Sequence, residues 1–217
     1  MLRVLPLFRV LPLTLAFVIC LFASDAFCQD GEFKSMFNGK NLLGWHVSEN
    51  TGSVYVEDGC LVTHGKRAHA FYIGESGSAD FSDFHFKCKV MTKPKANSGI
   101  YFHTKYENSG WPSAGYEAQV NNTHGDPKKT GGLYAIEDNF EIPVKDDVWF
   151  DYEITVEGKH IVIKVDGKVV TDYTEPENAE RPEQMKDRLL NGGTIALQAH
   201  DPGSKVLFKD LMLKIVK

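Results

Sequence analysis

Residues 149–173, WFDYEITVEGKHIVIKVDGKVVTDY, constrain the fold more than any other stretch of the chain. Apolar and polar side chains alternate through three runs, separated by Gly158-Lys159 and Asp166-Gly167. A period of two sends successive side chains to opposite faces of a strand. Two-residue turns of this composition join antiparallel strands as hairpins. The pattern recurs along the chain. SVYVEDGCLVTH reads as two runs around Glu57-Asp58-Gly59, and FSDFHFKCKVM sets Phe84, Phe86, Cys88 and Val90 against His85, Lys87 and Lys89. SGIYFHT, GYEAQVNN and GGLYAIE follow as further strand candidates. GTIALQAH and KVLFKDLMLKIVK close the chain, with Leu211, Leu213 and Ile215 expected to point inward. One short helix is expected near 182–190, within RPEQMKDRLL, where Pro182 suits an early helical position and Gly192-Gly193 follow its end. Many short strands and almost no helix predict an all-β fold, a two-sheet antiparallel jelly-roll sandwich.

The first residues read differently. Arg3 and Arg9 precede an apolar run from Val10 to Ala23, broken by Pro12 and Thr14. This is a secretory signal pattern over residues 1–28, and the run is short for a membrane span. Cleavage after Ala26 or after Cys28 fits the small-residue rule, while Phe27 before Cys28 and Ile19 before Cys20 argue against a lipoprotein. The protein is therefore expected to be secreted or periplasmic, with no transmembrane segment after signal removal. Residues 31–217 are expected to form one domain. With 24 basic and 29 acidic side chains and no basic stripe, nucleic acid is not an expected partner. Cys60 and Cys88 lie beyond the signal. An oxidising compartment allows them to pair, and two buried free thiols fit the sequence equally. No CxxC or Cys/His zinc spacing is present.

The polar parity of several strands carries the chemistry. NSGIYFH offers Asn97, Tyr101 and His103; GYEAQVNN offers Glu117, Gln119 and Asn121; LYAIE offers Tyr134; ALQAH offers Gln198 and His200. Taken singly, each is an ordinary strand residue. Together they suit a polyhydroxylated ligand, because an amide both donates and accepts, as a sugar hydroxyl requires. His46, His64, His69, His85 and His160 read as structural, in turns or alternating to solvent, and His124 as a candidate groove rim. Asn121-Asn122-Thr123 is a glycosylation sequon.

Most glycosidases use two carboxylates roughly 5 to 9.5 Å apart. Laminarinase-type glucanases place them on one strand as Glu-x-Asp-x-x-Glu. Here the strand reads Glu117-Ala118-Gln119-Val120-Asn121, with amides where further acids would stand. Asp201 is the nearest acid by motif, and its strand parity points it away from His200. No serine nucleophile elbow, P-loop or dinucleotide fingerprint is present. Glu117 and His200 instead form a candidate acid–base pair.

Seven motifs in order, FNGKNLLGW, VEDGCL, NSGIYF, GYEAQV, TGGLYAI, GKVVTDY and IALQAHDPGSKVLFKDLMLK, resemble the 3-keto-disaccharide hydrolase domain family. The resemblance implies a concanavalin-like jelly roll, export from bacteria, and a sugar already oxidised at C3 by a separate upstream oxidoreductase. A C3 ketone acidifies the hydrogen on C2. A base removes it, the enolate expels the group on C1, and water adds to the enone. On this reading one of Glu117 and His200 takes the C2 proton and the other assists the leaving oxygen. Asn97, Gln119 and Gln198 hold hydroxyls or the C3 oxygen. A divalent metal liganded by Glu117 and His200 would supply equivalent electrophilic help. Two positions depart from the family pattern. His103 stands where arginine is frequent, and Gln198-Ala199-His200 stands for Gln-Asp-His. The alternative on the same fold is a non-catalytic lectin or laminin G-like module.

Overall fold

The computed structural model describes residues 31–74 and 76–216, so the expected signal segment lies outside the described residues. In chain order the strands are β1 (Lys34–Ser35), β2 (Trp45–Val47), β3 (Val54–Glu57), β4 (Cys60–His64), β5 (Ala68–Tyr72), β6 (Phe84–Thr92), β7 (Ser98–Thr104), β8 (Tyr116–Val120), β9 (Phe150–Glu157), β10 (His160–Val165), β11 (Lys168–Thr174), β12 (Thr194–Ala199) and β13 (Lys205–Ile215). One sheet runs β11-β10-β9-β6-β13-β4-β3, with β1 also pairing β13. The other runs β2-β5-β12-β7-β8. This is an all-β, two-sheet antiparallel jelly-roll sandwich.

The turns form for local reasons. Asp58-Gly59 and Asp166-Gly167 both take positive φ at both residues, 50° and 75° in the first pair, 48° and 73° in the second. That is the turn whose twist matches two paired strands, and Asp-Gly tolerates it well. Alternation then builds the core. Phe84, Phe86, Cys88 and Val90 of β6 and Phe150, Tyr152, Ile154 and Val156 of β9 are buried. They belong to the same apolar cluster as Ile100 and Phe102 of β7, Tyr116, Ala118 and Val120 of β8, and Ile195, Leu197 and Ala199 of β12. The opposite parity of the smaller sheet is different. Tyr101, Glu117, Gln119 and Gln198 are also buried, yet they lie outside that cluster.

Three local expectations are corrected, and one open alternative, the state of Cys60 and Cys88, is resolved. The 181–190 segment makes only a 3-10 turn, Glu183–Met185. Arg181 Nε donates to the Arg188 carbonyl at 3.0 Å and its Nη2 donates to the hydroxyls of Tyr116 and Tyr173. The segment is thus tied to the sheet instead of winding on itself. GGLYAIE is not a strand: Leu133 makes isolated bridges to Ala118 and Glu137, and Ala135 turns the chain at φ 60°. Ile215 is 45% exposed, because β13 ends there. Cys60 and Cys88 are free and buried. They sit on β4 and β6 with β13 between them. Two strand spacings, about 9.6 Å, exceed the reach of a disulfide.

Candidate active site

The site begins with strand register. In the β7–β8 pair Tyr101 faces Glu117 and Gly99 faces Gln119. In the β12–β7 pair Leu197 faces Ile100 and Ala196 faces Tyr101, so Gln198 falls on the same side as Tyr101. The side chains then close a network. Tyr101 donates its hydroxyl hydrogen to Glu117 Oε2 at 2.8 Å, and Gln198 Nε2 donates to Glu117 Oε1 at 3.0 Å. Gln119 Nε2 donates to Asn97 Oδ1 at 2.7 Å. Gly99 makes room for this. A Cβ there would lie 2.9 Å from Glu117 Cγ and closer still to Oε1.

His200 stands beyond the end of β12. Its Nδ1 lies 2.8 Å from Asp201 Oδ2, which also accepts the Ser204 hydroxyl at 2.7 Å, while Asp201 Oδ1 accepts the Gly203 N–H at 2.7 Å. The parity argument against Asp201 fails because the strand stops at Ala199, so His200 and Asp201 do not alternate. Burial works to raise the Asp201 carboxyl, but bonds from Ser204, His200 and Gly203 outweigh it and hold the group low. An ionised Asp201 on Nδ1 leaves Nε2 of His200 as the working nitrogen.

Glu117, Gln119, Gln198, Asn97, Tyr134 and His200 line one cavity of about 420 Å³. Trp111, Asp126 and Arg188 line it too, and none of the three stood out in the sequence. A second concavity, of about 320 Å³, lies on the larger sheet and is lined by charged groups, including the Lys89–Asp151 ion pair. It lacks the amides and imidazoles of the first. Trp111 is 44% exposed, with its ring 5.2 Å from that of His200 and 5.7 Å from that of His69. The available signal was a tryptophan in a Gly/Ser/Pro loop joining the two site strands. Arg188 gave none.

Burial pushes the Glu117 carboxyl above its ordinary value, against the opposing influence of Arg188, Tyr101, Gln198 and His200. Burial also pushes the Tyr101 phenol well up, which keeps it a donor. Gln119 Oε1, Gln198 Oε1 and Arg188 Nη1 are buried without a hydrogen-bond partner among the described residues. Each such group costs about 1–3 kcal/mol when left unpaired. Their concentration around one cavity marks a place built for a polar ligand. Among the described residues, no three His, Cys, Asp or Glu side chains gather as a metal shell.

Two candidates stand elsewhere. The pairing of β12 with β7 shifts register between Thr194 and Ala196, and His103 takes φ 53°. The shift turns its ring away from the cavity. Nε2 donates to the Ser82 carbonyl at 2.7 Å and Nδ1 accepts the Gly192 N–H at 3.3 Å. Asn121 is buried and organises the following loop. Its Nδ2 donates to the carbonyls of Asp126 and Lys128, and its Oδ1 accepts the His124 N–H. It therefore supports Asp126 and His124 and does not line the cavity, and its amide is inaccessible to glycosylation in the fold.

His69 is not a solvent-facing residue. It is 1% exposed, its Nε2 has no hydrogen-bond partner among the described residues, and burial holds its pKa down to about 3 from 6.5. Burial also depresses His103. Both imidazoles are neutral in the fold and protonatable in the unfolded chain. Their contribution is fully present above about pH 6.5 and is lost as pH falls toward the folded-state values. Urea unfolding at about pH 8 and about pH 5 should show the loss, which for His69 approaches about 1.4 kcal/mol per pH unit below about pH 6.5. His69→Phe should flatten the dependence; an unchanged slope in that variant contradicts the assignment.

The family described as 3-keto-alpha-glucoside-1,2-lyase-like domain matches residues 32–214. Among solved structures, a Parabacteroides distasonis protein provisionally described as a glycosyl hydrolase superposes with a TM-score of 0.74 at 21% identity, covering 86% of this chain and 94% of its own. A second protein from that organism, described in the same way, gives 0.65 at 20% identity, covering 85% and 100%. A glycosyl hydrolase family protein from Mycobacterium fortuitum gives 0.53 at 10% identity, covering 84% and 97%. These likenesses show a shared fold. No curated protein matches the chain.

Proposed function

The chain belongs to the 3-keto-alpha-glucoside-1,2-lyase-like domain family, and on that premise we propose that it cleaves 3-keto-glycosides by elimination and hydration. The observation that carries this reading is one buried carboxylate, Glu117, sharing a cavity with an imidazole oriented by Asp201. Glu117 lies deep and already accepts two hydrogen bonds, which suits a carboxylate. Its raised pKa makes it a stronger base than an exposed glutamate. It takes the C2 proton. The C–H electron pair forms a C2–C3 double bond while the C3 carbonyl pair moves onto oxygen. That enolate re-forms the ketone, makes the C1–C2 double bond and breaks the C1–oxygen bond. His200, nearer solvent, protonates the departing oxygen, and water then adds across C1–C2. The unpartnered oxygens of Gln119 and Gln198 accept sugar hydroxyls, and Trp111 offers an aromatic face.

The substrate requires an oxidoreductase acting first, to make the C3 ketone. We place the protein outside the cytoplasm, where such sugars would meet it, on the strength of the leader pattern. The test is release of free 3-keto-sugar from a 3-keto-glucoside, with the unoxidised glucoside in parallel. Cleavage of the keto substrate alone supports the proposal. Retention of either without release favours a binding module. Because Asp126 also lines the cavity, two-carboxylate hydrolysis by Glu117 and Asp126 is the second reading, and it predicts cleavage of the unoxidised glucoside. Asp201→Asn should lower kcat by about 10²-fold with little change in KM, since it loosens His200 without touching substrate. An unchanged kcat would remove Asp201 from the account.

A further inference from the structure

The geometry points to Arg188 as a catalytic residue: its guanidinium holds the C3 oxygen and stabilises the negative charge that gathers there as the C2 proton leaves. This rests on the elimination chemistry proposed above.

The backbone of Arg188 is fixed from both sides. Glu175 is buried and accepts from the Tyr116 hydroxyl at 2.6 Å, the Leu190 N–H at 2.8 Å and Lys159 Nζ at 2.6 Å. Arg181, held by two tyrosine hydroxyls, donates to the carbonyl of Arg188 itself. The segment is therefore clamped at residue 175, at 181 and at 190, and it brings Arg188, with Gln184 and Met185, to the cavity.

The Arg188 side chain is 9% exposed, and its guanidinium carbon lies 5.3 Å from the Tyr101 ring centroid. Nη2 is 3.9 Å from Glu117 Oε2, beyond hydrogen-bond length, so Glu117 does not use up its donors. Nη1 is buried with no hydrogen-bond partner among the described residues. A buried guanidinium with spare hydrogens is an unfinished site, since five donors in a fixed fork ask for an oxygen acceptor. Among the other charged groups lining the cavity, Glu117 and Asp126 are acidic and His200 serves the leaving oxygen. Arg188 is left as the cation for a developing oxyanion.

C2 sits between C3 and C1, and Glu117, Arg188 and His200 line one cavity, with Arg188 Nη2 3.9 Å from Glu117 Oε2. With Glu117 beneath C2, Arg188 meets the oxygen on C3 and His200 the oxygen on C1. Charge moves from the C2–H bond to the C3 oxygen, where a fixed cation acts with no reorganisation.

The test compares wild type with Arg188→Ala on a 3-keto-glucoside, reading kcat across pH and adding guanidinium ion. We expect kcat to fall about 10²–10³-fold on the plateau above the Glu117 limb, with partial rescue by guanidinium. If Arg188 only helps to ionise Glu117, the limb moves to higher pH and the plateau rate is unchanged; that result overturns the assignment. A rise in KM alone, or a lost plateau without rescue, also overturns it. Arg188→Gln, which fills similar space, is read on kcat in the same way if the alanine variant does not fold. Failure of the wild type to release any 3-keto-sugar is a separate outcome. It removes the elimination reading itself, and the role of Arg188 with it.

Discussion

Replacing Glu117 with Gln is expected to lower turnover of a 3-keto-glucoside by about 10²–10⁴-fold, the contribution of a positioned general base. The fold should survive. Glu117 is buried, but Gln has the same shape, and its amide oxygen can still accept from Tyr101 or Gln198. Two terms then oppose each other. Removing a buried carboxylate relieves desolvation, which is what lifts its pKa. It also leaves Arg188 without the anion 3.9 Å away. The net change in stability should be small beside the loss of rate. Thermal melting and substrate affinity report on the first, and single-turnover rates on the second. A fully active Glu117→Gln variant would remove the base from the mechanism.

Gly99→Ala should be the most damaging small substitution in the site. Gly99 does not take a positive φ, so no backbone argument demands glycine there. The reason is the neighbouring strand. Glu117 lies across Gly99, and an added methyl would meet its Cγ at 2.9 Å, its Cδ at 3.0 Å and Oε1 closer still. Such distances force the side chain to move or the strands to separate. Overpacking of this kind costs about 1–3 kcal/mol. The larger effect is on chemistry, because a misplacement of about 1 Å can cost about 10²-fold in rate. We expect Gly99→Ala to be folded, lower melting and nearly inactive. Gly52→Ala is the control: among the described residues nothing approaches within 4 Å of a Cβ there. Equal activity in Gly99→Ala and wild type would mean that the carboxylate position is not critical.

The glycine also explains part of what was legible. In NSGIYF, a strand residue with no side chain marks close approach by a neighbour. That neighbour is Glu117 of GYEAQV, so two motifs that look independent in sequence are one device in space. Alternation made the sheets and most of the site readable, because β7, β8 and β12 each have one face in the apolar core and the other toward the cavity. Parity placed Glu117, Gln119 and Gln198 correctly because they lie within regular pairing. It misplaced His103 because one shift of register reverses the faces. It misjudged Asp201 because the strand ends before it. Tyr134 reaches the cavity although its segment is a turn and not a strand. Arg188 and Trp111 come from loops, whose paths depend on distant contacts such as those of Glu175 and Arg181. No local pattern encodes those contacts.

The central claim is that the C2 proton leaves during cleavage, and the hydrogen on C2 of the product tests it most directly. The reaction is run in D₂O with a 3-keto-glucoside, and the released 3-keto-sugar is analysed by NMR and mass spectrometry against an enzyme-free control. Elimination and hydration predict solvent deuterium at C2 of the released sugar, formed at the rate of cleavage and lost with Glu117→Gln. Cleavage that keeps the original hydrogen at C2 would contradict the account and point to direct displacement at C1.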